Sequence, residues 1–232
     1  MTKKLFFFFS LLVLLLLSSL VLGDVIVFSN YNTKAEITES GKLHIVKELT
    51  LKNVGRSPII PGELHFRMYE ENSKGDTPSK ITGFSAKGHY NDDLSVKKLD
   101  YASQTELVID IWEPILPDFI YNFKMEYDVD FVPRGILFYD LVLPDEKTTI
   151  PIQNQVYELT VPSNKHITYT VGGKVSNNKV LWQNVVSPQV EYSILPIPKL
   201  PIRGVNVFWF SVIFLLCFIL AMKLFKREEN VR

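Results

Sequence analysis

The chain has 232 residues, of which 47% are hydrophobic, and its 25 Lys and Arg are balanced by 25 Asp and Glu. That composition belongs to a folded protein rather than a disordered one, and without a basic excess it offers no electrostatic footprint for nucleic acid. A single cysteine, Cys217, excludes a disulfide framework, so any fold must rest on its core alone.

Residues 5 to 22 carry no charge, follow Lys3 and Lys4, and end in Val21, Leu22 and Gly23. Residues 1–23 therefore read as a signal peptide cleaved before Asp24, or as a retained signal anchor, since the apolar core exceeds the roughly 7 to 15 residues usual for a cleaved signal. Either way, the lysines stay inside and the chain beyond residue 23 lies outside.

From residue 24 onward the apolar residues recur at every second position, the period of a strand with one buried face. Ala35 and Ile37 alternate with polar neighbours. After the turn chemistry of Glu39, Ser40 and Gly41, so do Leu43, Ile45, Leu49 and Leu51, which predicts a hairpin over 33–52. Lys47 is the one exception on that face. The alternation continues in 63–70 and in 105–112, where Leu107, Ile109 and Ile111 point one way. It is cleanest in 123–131, which sets Phe123, Met125, Tyr127, Val129 and Phe131 together.

Further on, Leu137, Tyr139, Leu141 and Leu143 alternate, then Tyr157, Leu159 and Val161, then Ile167, Tyr169 and Val171. Gly172-Gly173 and Asn177-Asn178 are candidate tight turns. About ten short strands without crossover helices predict an all-β fold, an antiparallel β-sandwich. Residues 24–132 form the main sandwich domain, and 133–194 form a second, smaller β domain or its continuation, so the ectodomain is one sandwich or two in tandem. The polar stretch 70–80 reads as the longest loop.

Pro196, Pro198 and Pro201 then remove the amide hydrogens a sheet needs. Residues 195–204 read as an extended stalk at about 3.1 Å per residue, or as an edge segment packed on the domain. Residues 204 to 222 are again uncharged, and Lys223, Lys226, Arg227 and Arg232 follow. This places a transmembrane helix at 205–225 and a cytoplasmic tail at 226–232.

Chemistry-bearing residues are few. Glu126, Asp128 and Asp130 share a strand face, where three carboxylates could attract Ca²⁺ but more often form a solvated face. Asp92-Asp93 and Glu70-Glu71 read as loop solvation. His44, His65, His89 and His166 have no motif spacing, and no zinc, nucleophile or phosphate-loop motif occurs. No residue is assigned a catalytic, cofactor-binding or metal role. The aromatics around Trp112, including Phe119, Tyr121, Phe123 and Tyr127, read as core unless a cluster is left exposed, which would mark a contact surface. No Asn-x-Ser/Thr sequon is present.

The pattern of residues 37–53, followed by PGELHFRMYE and IYNFKMEYDVDF, resembles the β-sandwich ectodomains of archaeal-type envelope proteins anchored by one C-terminal helix. In layout it is also similar to ribophorin I type subunits of oligosaccharyltransferase. The resemblance transfers no functional residue. With the two uncharged runs, their flanking charges and the lack of catalytic motifs, the reading is a non-enzymatic protein of the cell membrane, its ectodomain outside and its C-terminus in the cytoplasm. The partners expected are the lipid bilayer and another envelope protein or a surface glycan. The alternatives are an accessory subunit of a membrane enzyme complex and a surface hydrolase.

Overall fold

The computed structural model describes the backbone of residues 25–39, 41–72, 75–130, 138–143, 145–185, 187–195 and 205–229, and side chains over the same residues except 70–77, 145, 205–207 and 224–229. The expected signal segment, the joint near 133 and nearly all of the Pro-rich segment lie outside these residues.

The first hairpin organises everything else. β1 (Ile26–Ile37) and β2 (Lys42–Asn53) pair antiparallel along their whole lengths, and Gly41 closes the turn at a φ of +82° that an L side chain resists. The hairpin starts earlier than the alternation predicts, because a bulge between Phe28 and Asn30 inserts Ser29 and lets Phe28 and Tyr31 both face inward. β8 (Ile120–Asp130) pairs with the other edge of β2, and β5 (Ile81–Lys87) with β8.

β11 (Gln155–Thr160) lies beside β1 in parallel, from Tyr31↔Gln155 to Glu36↔Thr160. β14 (Lys179–Gln183) and β13 (Lys174–Ser176) extend the sheet, joined by the two-residue turn expected at Asn177-Asn178. The seven-stranded sheet is thus mixed rather than antiparallel throughout, and it contains strands from before and after residue 133.

A second sheet orders β10 (Asp145–Thr148), β3 (Gly62–Asn72), β7 (Thr105–Ile111) and β6 (Val96–Asp100), with β4 (Gly75–Pro78) paired to β3. The stretch expected as a long loop is therefore a hairpin, its strands β3 and β4 pairing from Tyr69↔Pro78 to Asn72↔Gly75. Phe28 meets Phe66 across the gap between the two sheets, with ring centroids 6.1 Å apart. The alternating residues Leu43, Leu49, Leu51, Leu107, Ile109, Phe123 and Met125 fill the interior. Each such fully buried side chain contributes roughly 1.5–3 kcal/mol of transfer free energy.

A third, small sheet orders β12 (His166–Thr170), β15 (Gln189–Ser193) and β9 (Phe138–Val142). In β12 the expected inward set fails after Ile167. A register shift between Ile167 and Tyr169 turns Thr168 and Thr170 inward and leaves Val171 exposed. In β9 the buried residues are Phe138 and Leu141, with Tyr139 partly buried.

α1 (Val205–Glu229) contains no Pro or Gly and carries exposed Phe208, Phe210, Phe214, Leu216, Phe218 and Leu220, with no polar stripe among them. Over the described side chains, 208–223, no helix is long and apolar enough to cross a membrane. The uncharged run in the sequence begins four residues earlier, at 204.

Candidate functional site

β1 is 12 residues long, about 40 Å at 3.3 Å per residue, and it gives the body two distinct ends. At the end where β1 begins, the segment after β7 folds over the segment after β2. Ile59 and Ile115 exchange both backbone hydrogen bonds, at 3.0 and 2.8 Å. Asn53 N–H donates to Phe119 O, and Asp118 N–H to Asn53 O. The Asn53 side chain, fully buried, donates to Ser57 O and to Ile115 O at 2.8 Å each, while its Oδ1 accepts from Gly55 N–H at 2.8 Å.

This framework leaves large apolar groups in water. Trp112 is 67% exposed and Phe119 62%, and Leu116, Ile120, Ile60, Val54 and Val25 are exposed at the same end. Tyr90 stands on the adjoining loop, whose His89 ring packs edge-on to Tyr90 and 6.0 Å from Tyr121. Of the aromatics near Trp112, then, Tyr121, Phe123 and Tyr127 are core, and Trp112 and Phe119 are surface. Sequence alone does not separate them, because Phe119 and Tyr121 have the same parity as Phe123.

The last strand of the body ends at the other end. β11 runs parallel to the second half of β1, five residues connect Thr160 to His166, and His166 pairs with Ser193 at the end of β15. Nearby, Tyr139 and Tyr192 stack at 5.5 Å, with Lys165 Nζ 5.1 Å from the Tyr192 ring centroid. Burial, with the neighbouring Tyr139 adding to it, pushes the Tyr192 hydroxyl up to about 12.

The second concentration of chemistry is inside the sandwich. Lys47, the exception in its strand's pattern, is buried opposite Thr33 on β1 and Met125 on β8. Its Nζ touches Glu146 Oε2, which reaches across from β10, and both side chains are almost sealed, at 2% and 6% exposed. Tyr31 donates its hydroxyl to Glu146 Oε1, and Lys47 Nζ lies 3.3 Å from the same hydroxyl. Burial holds the Lys47 amine well below the usual lysine range. Burial also raises the hydroxyls of Tyr31 and Tyr127, with Tyr157 adding to both. Thr33 Oγ1 is buried without a hydrogen-bond partner among the described residues.

Each carboxylate of the row has a basic partner. Glu126 pairs with Lys124 at 3.0 Å, Asp128 with His44 Nδ1 at 2.8 Å, and Asp130 with Lys42 at 3.1 Å. His65 lies between Glu63 and Glu106, and His166 is exposed. Asp92 accepts from Tyr90 N–H at 3.3 Å. Among the described residues no group of three or more His, Cys, Asp or Glu could hold a metal ion.

No protein-family profile matches the chain. Over 119 residues it is 31% identical to the uncharacterized protein MJ1395 of Methanocaldococcus jannaschii, a match covering 51% of this chain and 87% of that one. Among solved structures, a putative nutrient binding protein of Legionella pneumophila gives a TM-score of 0.49 at 9% identity, covering 73% of this chain and 67% of the other. An M1 zinc metallopeptidase of Deinococcus radiodurans gives 0.42 at 11%, covering 74% of this chain and 43% of that one.

Proposed function

This chain belongs to the same family as the M. jannaschii protein MJ1395, and we propose that it is a membrane-anchored, non-enzymatic envelope protein whose β body binds a partner protein through its apolar end. The observation that carries the reading is the exposure of Trp112, Leu116, Phe119 and Ile120 together on a braced framework. Single exposed apolar residues need no explanation, but a gathered group costs solubility unless something covers it. Its aliphatic members, with Ile60, Val54 and Val25, suit an apolar protein surface better than a sugar, which needs flat rings flanked by hydrogen-bonding groups.

Anchoring is supported by the uncharged run of 19 residues from 204 to 222, most of which lies in α1, with basic residues after it. The last strand, β15, ends opposite the apolar group, which suits a contact surface presented away from the anchor.

The test places a photoreactive side chain at Phe119, and in a second chain at Asn177 on the opposite end, in the full-length protein in its native membrane. The expected result is a protein adduct from position 119 that is absent from 177 and is lost when Trp112→Ser is added. Equal labelling at both positions, or adducts to lipid or glycan alone, overturns the reading. A complex that survives Trp112→Ser with Phe119→Ser and depends only on residues 205–225 replaces it with the accessory-subunit alternative. Orientation is checked by a membrane-impermeant thiol reagent on Asn177→Cys in a Cys217→Ser background, which should react in intact cells.

A further inference from the structure

We propose that Lys47 and Glu146 become joined by an intramolecular amide bond, formed by the chain itself between the amine of β2 and the carboxyl of β10. The geometry supplies the reactants in contact. Lys47 Nζ lies against the Glu146 carboxyl group, and the Tyr31 hydroxyl is hydrogen-bonded to the other carboxyl oxygen, Oε1. The two side chains come from different sheets and are sealed from solvent, so their encounter is set by folding and persists afterwards.

Amide formation from an amine and a carboxylic acid fails in water chiefly because both partners are ionised there. Burial works against that obstacle, since removing solvent disfavours charged forms. The direction of the Lys47 shift, toward the neutral amine, agrees with this. A buried ion pair can relax to its neutral form by passing one proton from Nζ to Oε2.

The reaction then balances without any added reagent. The neutral Nζ lone pair attacks Glu146 Cδ, and negative charge develops on Oε1, where the Tyr31 hydroxyl already donates. The attacking nitrogen gives up a second proton to Oε2, for which Thr33 Oγ1, without a partner among the described residues and opposite Lys47 in the strand register, is the carrier. Oε2 departs as water, and the C–N bond replaces the C–O bond with no change of oxidation state. Escape of the water removes the reverse reactant from a closed interior. The product is uncharged, which ends the cost of keeping two ions in the core.

The test is peptide mapping of the purified full-length protein after denaturation and trypsin digestion. The expected result is a branched peptide containing residues 47 and 146, lighter than its two components by one water, with no cleavage after Lys47. The Lys47→Met chain should yield only the linear peptide containing Glu146. Recovery of the linear peptide ending at Lys47 as the main species in the wild-type digest overturns the proposal. That readout does not depend on whether the variant folds, or on where the protein resides.

Discussion

Asn53→Ala tests whether one side chain braces the apolar end. Three hydrogen bonds disappear, to Ser57 O, Ile115 O and from Gly55 N–H. Ile115 O still accepts from Ile59 N–H, and the backbone bonds of Asn53 to Phe119 and Asp118 remain. The loss is therefore nearer the net value of three bonds, about 3 kcal/mol in total, than the larger cost of three stranded groups. For a body of this size that lowers Tm by roughly 6–12 °C, read by thermal denaturation of the full chain in detergent micelles. Amide hydrogen exchange should accelerate in residues 54–59 and 113–119 and stay unchanged at the Asn177 turn. Asn53→Asp sharpens the test, because it keeps the acceptor for Gly55 but sets a carboxyl oxygen against two carbonyls. Burial raises the folded-state pKa of that new group, so the variant should be most stable in acid and lose stability as pH rises through that value. A loss for Asn53→Ala below about 1 kcal/mol, with exchange at the apolar end unaltered, would refute the brace.

Two further outcomes follow from the packing. A Cβ on Gly173 would lie 2.5 Å from Val180 Cγ1 and 2.7 Å from Trp182 Nε1, both in the core, so Gly173→Ala should cost about 1–3 kcal/mol by thermal denaturation; a change within about 0.5 kcal/mol would show that the neighbours give way. For Glu106, burial pushes the carboxyl up, but the Arg67 hydrogen bond at 3.1 Å and the charges of His65 and Arg67 outweigh it and hold it below the usual range. A depressed carboxyl contributes stability above its unfolded value and loses it as pH falls. Arg67→Met should thus shift the acid-unfolding limb to higher pH, with a loss at neutral pH under about 1 kcal/mol because Arg67 is half exposed; an unmoved limb would contradict the assignment.

The alternation in β3 and β8, and in β2 apart from Lys47, is legible because one face of each meets the core, whereas β7 is buried at nearly every residue. Where a bulge intervenes, parity misleads. Ser29 hides the start of β1, the irregularity between Thr82 and Ser85 hides β5, and the shift after Ile167 inverts β12. Lys47 announces itself as a charged residue on an apolar face, but its partner does not. Glu146 lies in Asp145–Thr148, four polar residues whose strand identity comes only from pairing with Phe66–Tyr69. At 112–120 Trp112, Leu116, Phe119 and Ile120 are residue types common in cores, and nothing in their spacing says that they end up exposed.

The placement of β15 bears on mechanics. It is the middle strand of its sheet, bonded to β12 on one side and β9 on the other, and its last residue, Ser193, precedes the C-terminal segment. Tension between a partner held at the far end and the C-terminal segment would pull Ser193 along the strand's own axis. Hydrogen bonds on both flanks would then be sheared together rather than peeled in succession, the loading geometry in which a short strand resists most. Stretched singly between those two points, the molecule should yield at a higher force than when pulled sideways through β13.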